Sequence, residues 1–218
     1  MTRSMTRWTV AGCSALAALG AAAVFDVAPA TADTLPISTA SDPLGDTFKS
    51  NTPAYRDFVR GQLTRTAGGD YTLLMEVAEA VPASPPRHSQ ASNEMWWFWV
   101  FDLDPTVRPK GYPWHESGTQ NPDWGRPPEF VVCVSWDGTR FAGTAIDRRP
   151  ILTGGEAILT PVPFRINGTI IEADLASELL GAVAPFTWGP FTMDWSGPVG
   201  GEGCHFADYL ETGLVSNP

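Results

Sequence analysis

From Asp42 to Pro218 the sequence predicts an all-β domain, an antiparallel β-sandwich of jelly-roll type, with a closed β-barrel as the alternative. Three observations lead there. About eight short apolar runs follow one another, Gly, Pro, Asn and Asp turn signals separate them, and almost no stretch sustains a helical period. Periodicity does not separate the sandwich from the barrel, because both alternate inward and outward residues along every strand.

Residues 1–32 come first and stand apart. Arg3 and Arg7 precede an Ala/Leu/Val-rich run from Val10 to Phe25, closed by Ala30-Thr31-Ala32. That order of basic residues, short apolar core and small-residue site is a secretory signal peptide, with cleavage expected between Ala32 and Asp33. The run is shorter than the roughly 20 apolar residues that a spanning helix needs. Val10-Ala11-Gly12-Cys13 looks like a lipobox, but Cys13 precedes most of the apolar run, so an exported soluble protein is the expectation.

Residues 33–41 are polar and read as a flexible lead-in, and Asp42-Pro43-Leu44-Gly45-Asp46 as a compact acidic turn. Asp57–Thr66 and Tyr71–Val81 alternate with period two and are joined by Ala67-Gly68-Gly69-Asp70, which makes a hairpin. Met95–Phe101 is apolar at both parities, as in a strand covered on both faces at the centre of a sheet. Residues 106–128 form a long irregular loop rich in Pro, Gly and Trp. Glu129–Trp136 and Arg140–Ile146 pair through Asp137-Gly138-Thr139, and Ile158–Ile166 and Thr169–Leu175 through Asn167-Gly168. Asp174–Gly181 suits one or two helical turns. Phe186–Trp195 reads as a late strand interrupted by Gly189 and Pro190.

The chain is acidic, with formal charge −10. Removing residues 1–32 takes away two arginines and one aspartate, which brings it to about −11 and argues against nucleic acid and against anionic membrane surfaces. The remaining length suits one domain, 42–218. Two cysteines survive processing, Cys133 and Cys204, and in an oxidising compartment a disulfide between them is expected; two separate buried thiols are the alternative.

The acidic turn near the mature start, the following hairpin and the aromatic strand ending in Phe101-Asp102-Leu103-Asp104-Pro105 resemble, in their order, the family 9 carbohydrate-binding modules and the related DOMON-like domains. That resemblance covers about two-thirds of the mature chain and implies a β-sandwich that binds sugar, haem or structural calcium. It implies Asp42, Asp46, Asp102 and Asp104 as calcium ligands, which suits a hard cation that takes several oxygens at flexible geometry. Turn formation is the competing role for the same residues, since Asp side chains bond nearby backbone N–H groups.

Among the nine tryptophans, Trp97 and Trp99 share a parity with Phe101, and Trp96 faces the other side with Phe98. Trp114 and Trp124 differ, lying in the irregular loop beside Tyr112 and His115 where no strand packing asks for them. Indoles stack on the apolar face of a sugar ring, so Tyr112, Trp114, His115 and Trp124 form the candidate ligand face for a cell-wall or extracellular polysaccharide, or for a protein partner. Haem would need axial ligands from His88, His115, His205, Met75, Met95 and Met193. A glycoside-acting hydrolase would need a carboxylate pair from Glu116, Asp123 and Glu129. The sequence has no G-x-S-x-G elbow, no H-E-x-x-H and no P-loop, so the expectation is a non-catalytic secreted module.

Overall fold

The strand β4 (Met95–Asp102) organises the molecule, because seven consecutive side chains from Met95 to Phe101 are buried. A computed structural model of the chain describes residues 36–47, 52–86, 95–104, 129–181, 185–195, 204–209 and 215–217. The chain separates into two units, 1–32 and 33–218, and every described residue belongs to the second.

Twelve strands are present among the described residues, all antiparallel. The first sheet holds β1 (Pro36–Ser41), β2 (Phe58–Arg65), β3 (Tyr71–Val77), β8 (Phe164–Asn167) and β9 (Ile170–Leu175), in the order β1-β2-β3-β9-β8. The second holds β5 (Phe130–Trp136), β6 (Phe141–Asp147), β7 (Ile158–Pro161), β10 (Phe186–Trp195), β11 (Cys204–Tyr209) and β12 (Val215–Asn217) beside β4, in the order β11-β10-β4-β5-β6-β7, with β12 also on β10. Trp97, Trp99 and Phe101 of the second sheet share one core with Leu63, Leu73, Met75, Ile171 and Leu175 of the first. This is a sandwich rather than a closed barrel. The far face of the second sheet is apolar as well, with Trp96, Phe98, Val100, Val131, Cys133, Phe191 and Met193 buried together. The outer face of the first sheet is polar, with Arg165 bonded to Glu172 and Asp174, and Arg60 to Glu76.

Four expectations change. The lead-in 33–41 contains β1, whose Ser38 and Ala40 face inward; small polar residues conceal that alternation in the sequence. Ile158–Ile166 is two strands on different sheets, because Pro161-Val162-Pro163 ends β7 and carries the chain across to β8. Its hairpin with β9 has Gly168 and Thr169 at the turn centre, with Gly168 at φ +61°, the pattern of a type II′ turn. The strand β10 is continuous through Gly189 and Pro190. On one edge it pairs with β4 from Thr187 to Asp194, while on the other β12 covers residues 186–188 and β11 covers 191–195, so the proline that lacks an N–H falls in the gap between them. Gly61 of β2 lies against that proline, and a Cβ there would sit 2.7 Å from Pro190 Cγ.

The fourth concerns the cysteines. Among the described residues no disulfide joins Cys133 to Cys204, and strand pairing explains why. Cys133 lies in register with Phe98 and Phe191, whereas Cys204 pairs with Trp195, four residues further along β10 and three strands away from β5. Three strand spacings alone span about 14 Å. A disulfide brings Cα atoms to about 4.4–6.8 Å.

Candidate metal centre

Where β1 leaves the first sheet, the turn Asp42–Asp46 folds back over the start of β2. The Asp42 N–H donates to the Val59 carbonyl at 3.0 Å, and Gly45, at φ +84°, aims its N–H at Asp57 Oδ2 at 2.8 Å. That positive φ is a conformation in which a Cβ is strained, so glycine belongs there. Asp57 itself is set by the 3₁₀ turn Ala54–Arg56 just before it. Two core strands hold this turn in place. The Trp97 indole N–H donates to the Tyr55 carbonyl at 3.1 Å, Tyr55 Oη donates to Met95 Sδ at 3.9 Å, and Thr192 Oγ1 donates to the Arg56 carbonyl.

The opposite sheet supplies the last member. Asp208, on the edge strand β11, accepts the Phe58 N–H on Oδ2 at 2.8 Å. One carboxylate oxygen from each of Asp42, Asp46 and Asp208 then lies within 4.8 Å of the others. Asp42, Asp57 and Asp208 are buried and Asp46 is exposed, so the group opens to solvent on one side. Asp57 Oδ1 is buried and accepts no hydrogen bond.

Like charges this close are costly. At an effective dielectric of about 20, two carboxylates 4.8 Å apart repel by about 3.5 kcal/mol, a sizeable part of a typical domain's stability. The titration of the group reflects it. Burial first, then the Asp42 charge, pushes Asp208 up to about 8, against the pull of the Phe58 N–H and with help from Asp46 and Asp57. Asp57 is also raised, chiefly by burial and further by Asp46, while the Gly45 N–H opposes the shift.

Protonation of Asp208 relieves part of the repulsion, and capture of a cation would relieve it as well. The donor set fits calcium. Asp42, Asp46 and Asp208 offer hard oxygens within the about 5 Å that two ligands of one calcium at 2.3–2.6 Å can span, and Asp57, bonded to Gly45 of the same turn, adds a buried oxygen that accepts no hydrogen bond. Zinc would favour His or Cys, and none of these four residues is either.

Asp102 and Asp104 do not join this group. Asp208 is in register with Thr192 and so with Trp97, which leaves Asp102 five residues, or about 17 Å, further along β4. There Asp102 Oδ1 accepts the Asp104 N–H at 3.3 Å, the local turn chemistry that was the competing role. Beside it, buried Glu129 accepts the Leu103 N–H on Oε2 at 2.9 Å. Asp147 is held below the usual carboxylate range by its hydrogen bonds from the Arg149 guanidinium, which also donates to the Leu179 and Leu180 carbonyls. Met75, Met95 and Met193 are buried in apolar packing. Tyr112, Trp114, His115 and Trp124 lie outside the described residues, as do Glu116, Asp123 and His88.

Sequence reading missed Asp57 and Asp208. In the sequence Asp57 reads as the start of a strand and 204–209 carries no strand signal, so nothing local marks either residue as a partner of Asp42 and Asp46. Comparison with protein-family models and with curated proteins finds no match for the chain.

Proposed function

We propose that this chain is a secreted, non-catalytic binding module whose β-sandwich is locked by one structural calcium ion held between Asp42, Asp46, Asp57 and Asp208. The observation that carries the cation is the convergence of Asp42, Asp46 and Asp208 carboxylate oxygens within 4.8 Å of one another, on a turn whose Gly45 N–H fixes Asp57 with a second, buried oxygen that accepts no hydrogen bond. Titrating chelator-stripped protein with calcium in a calorimeter should give one site per chain, and Asp42→Ala or Asp57→Ala should abolish the heat. Absence of binding at millimolar calcium would overturn the reading.

The ligand class follows from the aromatics of residues 106–128, inserted between the central strands β4 and β5. Stacking of Trp114 and Trp124 on sugar rings makes a neutral polysaccharide the proposed ligand, in keeping with the acidic charge of the chain. A non-catalytic role is supported by Glu129, whose buried carboxylate is engaged in holding the end of β4. Trp114→Ala and Trp124→Ala should weaken retention on insoluble polysaccharide while leaving stability nearly unchanged. Losses of several kcal/mol in both variants would make these indoles structural.

A further inference from the structure

The cation site has an unusual construction, because its members come from both sheets and one of them rides on an edge strand. The strand β11 ends the second sheet and pairs with β10 through a ladder interrupted at Thr192/Met193. Asp208 ties this strand to the first sheet by accepting the Phe58 N–H. The same carboxylate stands within 4.8 Å of ligand oxygens of Asp42 and Asp46. The residue that fastens β11 across the sandwich is thus also the one that like charge repels from it.

We propose that calcium gates the docking of β11: the ion bridges Asp208 to the Asp42–Asp46 turn and Asp57, and without it Cys204–Tyr209 peels from the edge of β10. The inference rests on the cation reading and adds a consequence to it. Edge strands are among the first elements to open locally, because little packing is lost when they do. A ligand that binds only the docked arrangement must favour docking by the same factor by which docking favours the ligand. Calcium concentration would then set how much of the unpaired β10 edge the protein presents.

Hydrogen exchange followed by mass spectrometry on the purified protein, labelled at about pH 9 so that the carboxylates are ionised, tests this. In calcium, the amides of 204–209 should exchange at least about tenfold more slowly than in chelator, within the usual range of coupling between sites, while those of β3 change little. Asp208→Asn keeps an acceptor for the Phe58 N–H and removes the charge, so its 204–209 amides should stay slow in chelator and respond little to calcium. Asp46→Asn, at the exposed ligand, should shift exchange of 204–209 in the same direction by a smaller factor. Calcium that binds without slowing 204–209 would overturn the gate and leave the site standing. A uniform slowing of all strands would overturn it too, since that reports global stability. No calcium binding by calorimetry would remove both the gate and the site.

Discussion

Replacing Trp97 with Ala should cost about 3–5 kcal/mol, the usual loss for a large aromatic removed from a close-packed core. Trp97 has no exposed surface, stands at the centre of β4 between Thr192 and Val134, and packs its ring against Phe141 at 6.0 Å between centroids. Its indole N–H is also the donor to the Tyr55 carbonyl, so the variant leaves a cavity and a buried acceptor without its bond. That carbonyl belongs to the turn that positions Asp57, so calcium affinity should fall along with stability. Urea denaturation reads the first effect. Leu44→Ala is the matched control: Leu44 is 71% exposed, and its loss should stay within about 0.5 kcal/mol. A Trp97→Ala protein as stable as the parent would mean that the core is not built around β4.

Calcium should raise the thermal midpoint of chelator-stripped protein, and raise it more at pH 8 than at pH 5. At a hundredfold excess over the dissociation constant, binding to the native state alone contributes about 2.7 kcal/mol, which for a domain of this size is about 5–10 °C. The pH dependence follows from Asp208. Its folded pKa, near 8, lies above the ordinary 3.8, so between those values the native state keeps a proton that the unfolded chain has lost. The stability this contributes is fully present below about pH 4 and is lost as pH rises through 8, so metal-free protein should weaken over that window. Calcium replaces the proton and should flatten the loss. Scanning calorimetry in calcium and in chelator at both pH values checks it. A midpoint indifferent to calcium at pH 8 would count against the clamp.

What was legible in the sequence was whatever a local rule could carry. The double-sided burial of β4 was written in Met95–Phe101, where both parities are apolar. The β5–β6 hairpin was written in Asp137-Gly138, whose Asp137 Oδ1 accepts the Thr139 and Arg140 N–H groups. Local rules fail where pairing at long range decides the structure. Pro190 breaks a strand by local reasoning, yet β10 runs through it because no partner needs its N–H at that gap. Ile158–Ile166 reads as one strand, since nothing local says that its halves join different sheets. The site was half legible for the same reason. Asp42 and Asp46 are neighbours in one turn, but Asp208 reaches them only through the register of β11 on β10 and the packing of one sheet on the other. Asp102-x-Asp104 carried the same local signal and serves a turn.

Anomalous diffraction from crystals grown in calcium, or soaked with a lanthanide in its place, tests the central claim most directly. The account predicts one strong peak bonded to carboxylate oxygens of Asp42, Asp46, Asp57 and Asp208, with β11 in place beside β10. A peak at Asp102 and Asp104 instead, or no peak among the four carboxylates at saturating ion, would contradict it.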